Sequence, residues 1–409
     1  MLEARNAVSG ATGRNGGHLV SDSLALFSEL VSRFGTERAT EVVLFSTANI
    51  AKLKELTAQL DESDRTSVEL RNVASVAGLG DANVFESAAE AIGAINQILN
   101  EQTLKHRTVS REEAAKEYKL RNIEGALVQE GAAALWPYRL VTALLARLVE
   151  DHPGRFSLEN HTPVCTINHD PQCLEVDGRP YTLTTPRGTI RAKKVIHCTN
   201  GYSAHLIPNL VGKLYPLRGT MSVQKLGPGF PSLGGSVSWS HISRGHYDAD
   251  SQLWSTGLYY AQQNEKTGHM WIGGEVQKLE EMLTSDDSVV GTSARENLCS
   301  VVPTLLEGTG SIESLNIWSG IMGFTADGLP LVGNMTESLT GRSGSGEWIA
   351  AGFNGHGMDK CWLSGEALAR LALGEEVPEW FPRVFLLGEK RCKELTTEAA
   401  VERFTKQFI

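Results

Sequence analysis

The chain has 409 residues, enough for roughly two to three domains. Its 38 basic and 48 acidic residues leave a net charge of −10, a balance that disfavours general nucleic-acid binding, which needs basic patches against phosphates. A 41% hydrophobic fraction with 41 glycines excludes a disordered chain, and no run of 18 apolar residues offers a membrane span.

In chain order, Leu2-Glu3-Ala4-Arg5 is a short apolar–acidic stub, followed by a loop of small residues from Ser9 to His18. The spacing predicts a helix from Ser21/Asp22, with Leu24, Phe27, Leu30, Val31 and Phe34 on one face and Gly35 as its stop. A longer helix starts at Thr36 and carries Val43, Leu44, Ile50, Leu53, Leu56 and Leu60. A strand near Val68, a helix from Ala88 to Leu99 and a strand from Gly125 to Ala134 follow. Pro137 then opens a helix with Leu140, Val141, Leu144, Leu145 and Leu148 inward. Short strands are expected at Thr162 to Ile167, Cys173 to Val176, Tyr181 to Thr185, Thr189 to Arg191 and Lys194 to Cys198. Residues 214 to 325 read as mostly β, with Met221 to Gln224, Leu253 to Tyr260, Met270 to Gly273 and Ile317 to Phe324 the clearest strands. The chain returns to a strand at Trp348 to Gly352, a glycine loop, and a helix to Leu373. Alternating strands and helices at both ends of a β-rich middle predict an α/β domain split by inserted segments.

Cys165, Cys173, Cys198, Cys299, Cys361 and Cys392 are scattered, without a Cys-x-x-Cys pair or a histidine spaced for zinc. They read as reduced thiols, and no metal is expected. The N-terminus lacks the apolar core of a signal peptide, and Lys406-Gln407-Phe408-Ile409 is not a peroxisomal tripeptide. The expected location is the cytoplasm.

Four segments carry chemistry. Glu3 ends a short stub where an acidic residue could accept hydrogen bonds from a ribose diol. The loop Gly10-Ala11-Thr12-Gly13-Arg14-Asn15-Gly16-Gly17-His18 exposes backbone N–H groups and lets main chain approach a planar or phosphorylated ligand. The strand ending in His197-Cys198-Thr199-Asn200-Gly201 would deliver a small-residue corner to a ligand crevice. Last, Gly320-Ile321-Met322-Gly323-Phe324-Thr325-Ala326-Asp327 precedes Gly352-Phe353-Asn354-Gly355-His356-Gly357-Met358, with a helix behind it whose free N–H groups favour negative charge and whose stripe is Cys361, Gly365, Leu368 and Ala372. Trp254, Tyr259, Tyr260 and Trp271 could line a substrate pocket or pack in a core. His241 and His246 show no metal spacing.

Together these ordered motifs, from Leu2 to about Gly374, resemble the FAD-dependent amine and amino-acid oxidoreductases of the D-amino-acid oxidase, glycine oxidase and sarcosine oxidase type. The Gly-Ala-Thr-Gly-Arg-Asn-Gly-Gly loop is most similar to the γ-glutamylputrescine oxidoreductase-like branch. The resemblance implies an FAD domain of Rossmann-like α/β fold from residues 1–62, 137–212 and 316–409. It implies an antiparallel β-sheet substrate domain from residues 63–136 and 213–315. Glu3 and Arg5 would sit at the adenosine ribose and Val164 at the adenine. Ala11, Thr12, Arg14, Asn15, Gly16, Gly17 and His18 would lie along the pyrophosphate, ribityl chain and flavin ring. Thr199, Asn200 and Gly201 would border the pyrophosphate, while Gly323, Asp327, Gly352, Asn354, Gly355, His356, Gly357 and Met358 would hold the ribityl and pyrimidine end. The implied reaction is hydride transfer to flavin from the carbon beside an amine nitrogen, with dioxygen or another acceptor reoxidising the flavin. Substrate identity, acceptor and pathway, whether amine catabolism or secondary-metabolite tailoring, stay open.

Three departures from the family matter. Where the sarcosine oxidase branch has a cysteine that binds flavin covalently, this chain has Gly320, so non-covalent FAD is expected. Where that branch has a carboxylate-binding lysine, this chain has Asp359 followed by Lys360, which makes a cationic amine more attractive. The family's opening strand, Gly-x-Gly-x-x-Gly loop and helix are not in the sequence, an offset of roughly 30 residues ahead of Met1. A recorded start downstream of the true one is the favoured expectation, because the later motifs are intact. The alternative is an inactive relic acting at most as a binding module.

Overall fold

A computed structural model describes residues 1–98, 106–274 and 276–408. The chain adopts the expected mixed α/β architecture, organised as two compact units. The first comprises residues 1–13, 138–217 and 321–404, and the second residues 14–137, 218–320 and 405–409. Residues 14–62, grouped above with the nucleotide-binding segments, pack within the second unit.

In the first unit, the strand Val195–His197 pairs in parallel with Glu347–Ala351, and Leu331–Asn334 pairs antiparallel with the latter's other edge. A second, antiparallel sheet joins Thr166–His169, Tyr181–Thr185 and Gly188–Ala192. Leu2 forms only an isolated parallel bridge to Glu159. The apolar core gathers Ile207, Leu210, Leu214, Leu331, Ile349 and Ala351. The helix Cys361–Ala372 buries Leu363, Ala367, Leu368 and Ala372, whereas Cys361 and Gly365 of the expected stripe keep exposed surface. Beneath the parallel pair lies an ionic knot. Glu347, 2% exposed, accepts from Arg342 Nε and Nη2 at 2.7 Å each and lies 3.0 Å from His197 Nε2. Burial pushes the Glu347 carboxyl up, but Arg342 and His197 outweigh it and hold it at about 2.

The second unit is built on a large sheet in which Arg71–Leu79 lies between Gly125–Ala134 and Val237–Ile242, followed by Leu258–Gln263, Met270–Gly273 and Leu214–Lys225. Strand alternation gives this sheet two unlike faces. On one, register aligns Val128, Val76, Trp239, Ala261 and Ile272, all buried in the core formed with Leu298, Val302 and Leu305 of the helix Thr292–Leu305. One residue over, on the opposite face, register aligns His106, Gln129, Ser75, Ser238 and Gln262. These five polar residues are each at least nine-tenths buried. Further along that face, Ile92 of the helix Ala82–Ile98 packs on Leu79 and Leu127.

Several elements differ from expectation. Residues 172–177 form a helix rather than a strand, because Asp170 accepts the Gln172 N–H, Pro171 starts the turn and Gly178 ends it at φ +70°. The β-rich middle contains the helix Thr292–Leu305, and Leu253–Tyr260 is divided between Leu253–Ser255 and Leu258–Gln263. The helix Ala82–Ile98 starts six residues before its expected Ala88, and Leu99 lies outside the described residues. Leu44 is 47% exposed, since the helix Thr36–Ala58 turns Val42, Val43, Phe45, Ile50 and Leu53 inward instead. No helix among the described residues is long and apolar enough to cross a membrane.

Candidate functional site

Within the first unit, three glycine-bearing corners meet. Asn200, at φ +44°, points Oδ1 at the Gly352 N–H at 2.9 Å, which ties the end of Val195–His197 to the end of Glu347–Ala351. Gly201 and Gly323 sit against each other's segments. A Cβ on Gly201 would meet the Met322 carbonyl at 2.8 Å, and one on Gly323 would meet Asn200 Oδ1 at 2.6 Å. The loop beyond Gly352 is held by Asn354, whose N–H donates to Gly323 O at 2.8 Å and whose Oδ1 accepts from Thr325 N at 2.9 Å. Gly352, Asn354 and Gly355 are all left-handed, with φ of +74°, +52° and +82°. The two glycines adopt this region freely, and Asn354, the non-glycine between them, is held there by its own hydrogen bonds. Thr199 and His356 stand exposed at this corner, and Gly357 and Met358 are half-buried at the helix entry.

Other expected residues are engaged locally. Glu3 Oε1 accepts the Arg5 N–H at 2.9 Å, and the Arg5 guanidinium lies over the Tyr202 ring at 5.9 Å. Val164 packs against the small core of Ile167, Tyr181, Leu183 and Val195. Asp327 is bound by Arg391 through two hydrogen bonds of 2.8 and 3.1 Å and accepts the Leu329 N–H, so its carboxylate braces its own turn. Lys360, 3% exposed, donates to both oxygens of Asp359 at 2.8 and 2.9 Å and to His356 O. Its ammonium is committed inside the fold. Ala11 and Thr12 open a single helical turn, Ala11–Arg14.

Within the second unit, Arg14 donates to the carbonyls of Asp287 and Ser319 at 2.9 and 2.6 Å, and Trp318 Nε1 donates to Arg14 O at 2.9 Å. Asn15 Oδ1 accepts the Gly17 N–H at 2.8 Å. Gly17, at φ +72°, admits no side chain, since a Cβ would stand 2.1 Å from the Leu135 carbonyl. This turn aims His18 at Tyr260, edge to face at 5.4 Å. Burial lowers the His18 imidazole to about 4, and the nearby Arg71 charge adds to this, so the ring is neutral at pH 7. Its Nε2 is buried without a hydrogen-bond partner among the described residues.

Beside that turn opens a pocket lined by Asn15, Gly16, Gly17, Glu69, Arg71, Trp136, Gln262, Asn264 and Trp271, among others. Of the aromatic candidates, Trp271 lines it and Tyr260 meets His18 edge to face. Tyr259 instead donates to Asn297 Oδ1 at 2.8 Å, and Trp254 stacks on Tyr247 at 4.4 Å. Sequence reasoning missed Glu69, Arg71, Gln262 and Asn264, which the fold brings together from segments nearly 200 residues apart.

Residues 1–371 match the family described as DAO, FAD dependent oxidoreductase. The chain belongs to this family of FAD-dependent oxidoreductases. Similar solved structures share the fold. Glycine oxidase from Geobacillus kaustophilus superposes with a TM-score of 0.70 at 20% identity, covering 95% of this chain and 91% of that one. L-proline dehydrogenase from P. horikoshii gives 0.66 at 18%, covering 94% and 90%. NikD, described as an unusual amino acid oxidase essential for nikkomycin biosynthesis, gives 0.61 at 15%, covering 91% and 86%. A curated relative, the probable oxidoreductase OrdL of Rhizobium meliloti (strain 1021), is 24% identical over 203 residues. That stretch is 49% of this chain and 41% of OrdL, so the match spans less than half the relative's length.

Some of the residues present suit the nucleotide cofactor for which the family is described. Gly355, exposed at φ +82°, offers main chain to a ligand, and in the other unit the Gly16–Gly17 turn contributes pocket wall without side chains.

Proposed function

We propose that this chain oxidises the C–N bond of an amine or amino acid, with FAD bound non-covalently as hydride acceptor and dioxygen or another compound as final electron acceptor. The observation that carries this reading is the pocket beside Asn15, Gly16, Gly17 and His18, within a chain matched to the family over residues 1–371. FAD supplies the two-electron chemistry when bound. The protein contributes positioning and electrostatics.

In this reading Glu3, Arg5 and Val164 hold the adenosine end, with Thr199, Asn200 and Gly201 at the pyrophosphate. Gly323 and the Gly352–Met358 loop hold the ribityl and pyrimidine end, and Asp327 supports that end through its turn. Ala11 to His18 lie along the flavin. His18, neutral and with a buried Nε2, offers a hydrogen bond rather than a charge to whatever meets it. Residues 63–136 and 213–315, the expected substrate domain, contain all the pocket residues named above except the Asn15–Gly17 turn.

The test is an absorbance spectrum of the purified protein followed by anaerobic mixing with a panel of amines and amino acids. A flavin spectrum that bleaches with a member of the panel is the expected result. A protein that takes up no flavin when FAD is added, while folded by circular dichroism, overturns the reading in favour of a binding module.

A further inference from the structure

The family match ends at residue 371, and the chain beyond it returns to the glycine corner of the first unit. Arg391, on the helix Glu389–Glu394, grips the turn that runs from Thr325 to Pro330. Its Nε and Nη2 donate to the two carboxylate oxygens of Asp327 at 2.8 and 3.1 Å, and Nη2 also donates to Leu329 O at 2.8 Å. Its Nη1 donates to Pro330 O at 2.9 Å and to Phe385 O at 2.8 Å. The planar fork of a guanidinium matches a carboxylate in this side-on arrangement, and a lysine does not reproduce it. From another side, the Arg403 guanidinium of the helix Thr397–Phe408 lies on Gly328, where φ is +74° and a Cβ would not fit.

The held turn is tied in turn to the loop 352–358. Leu329 O, an acceptor of Arg391, also accepts from Thr325 Oγ1 at 3.0 Å. The Thr325 N–H donates to Asn354 Oδ1 at 2.9 Å, and the Asn354 N–H donates to Gly323 O at 2.8 Å. These bonds keep Asn354 at φ +52°, a conformation that a residue with a side chain seldom holds unaided. Arg391 is not what fastens its own segment to the fold. Cys392, Leu395 and Ala400 are buried in the apolar core, and the Leu387 N–H donates to Val332 O at 2.9 Å. What the fork fixes is the turn.

We propose that Arg391 is a positioning residue: by fixing the turn after Thr325 it sets the conformation of the loop 352–358, and through that loop the affinity for the flavin nucleotide. The last clause rests on the flavin reading above; the positioning of the loop does not. Without Arg391 the Asp327 carboxylate loses this cation, Leu329 O loses a donor, and the Thr325 N–H is no longer presented to Asn354. The loop then keeps its sequence but not its pre-set form, which ligand binding has to restore at the expense of affinity.

The experiment follows amide hydrogen exchange by mass spectrometry in the full-length protein, wild type and Arg391→Gln, and titrates FAD into the same samples by fluorescence quenching. The Gly352, Asn354 and His356 N–H groups, bonded to Asn200 Oδ1, Gly323 O and Phe353 O, report on the loop. The expected result is exchange about tenfold faster in the peptide carrying residues 352–358 and an FAD dissociation constant raised about tenfold. The strands Tyr181–Thr185 and Gly188–Ala192 of the same unit should exchange as before. Asp327→Asn should reproduce both effects, and the double variant should add little to either. Acceleration of both peptides alike, which a merely structural role produces, overturns the proposal. So does an unchanged loop, or an unchanged FAD affinity, in a folded Arg391→Gln protein. If the wild type takes up no FAD while the loop alone responds to Arg391→Gln, the positioning stands and only the flavin reading falls. If Arg391→Gln does not fold, Arg391→Lys, which keeps the charge and loses the fork, is read by the same criteria.

Discussion

The side chain of Asn200 caps the backbone of Gly352, 152 residues away, with a 2.9 Å hydrogen bond made from a left-handed conformation. One residue therefore fixes both the corner after Val195–His197 and the loop that leads to Gly355. Asn200→Ala should cost about 1–3 kcal/mol, because it strands the Gly352 N–H and puts a less tolerant residue at φ +44°. Urea denaturation reads this directly, and FAD uptake should fall with it.

Gly355 offers a cleaner separation of folding from cofactor binding. A Cβ there meets nothing closer than Met322 Sδ at 3.5 Å, so Gly355→Val bears mainly the left-handed penalty, about 1–2 kcal/mol. The variant should fold yet lose flavin, as read by the absorbance ratio at 450 and 280 nm. Gly17→Ala, by contrast, would drive a methyl into the Leu135 carbonyl, and it should lower the melting temperature sharply.

The knot around Glu347 makes the first unit acid-sensitive. Its carboxyl falls from 4.5 to about 2 on folding, so its contribution is complete above pH 4.5 and drains away as pH drops through 2. The integrated effect is about 3 kcal/mol. Melting temperatures recorded from pH 7 to pH 2.5 should fall less steeply in Glu347→Gln, which starts lower at pH 7.

His106 should behave in the opposite way to most buried polar residues. Among the described residues neither of its ring nitrogens has a partner, and burial lowers its pKa to about 4. The neutral ring is tolerated at pH 7, and stability is lost as pH falls from 6.5 through 4, where the ring must take up a proton. His106→Leu should therefore be neutral or stabilising at pH 7 and flatten that part of the acid profile, as measured by thermal melts.

Much of the scaffold was legible from the sequence. The helix stop at Gly35, the helix after Pro137, and the strands Gly125–Ala134, Val195–His197 and Glu347–Ala351 carry their own local punctuation. Residues 172–177 misled because Leu174 and Val176 suggest a strand, while the deciding signals, Asp170, Pro171 and Gly178, lie outside the segment. The helix Thr292–Leu305 hides behind Pro303 near its end, although Ala294, Leu298, Val301, Val302 and Leu305 keep a helical period. Arg71 left no trace at all. A lone arginine at a strand start acquires meaning only when Gln262, 191 positions later, is set against it.

The two faces of the large sheet also carry a consequence for how it assembles. Val128, Val76, Trp239 and Ala261 alternate with Gln129, Ser75, Ser238 and Gln262 along these four strands. Slippage of any one strand by a single position would swap its members of these sets, thrusting amides and hydroxyls among Leu298, Val302 and Leu305. Misregistered isomers are thereby penalised strand by strand, and the polar stripe guards the fidelity of the assembly it crosses.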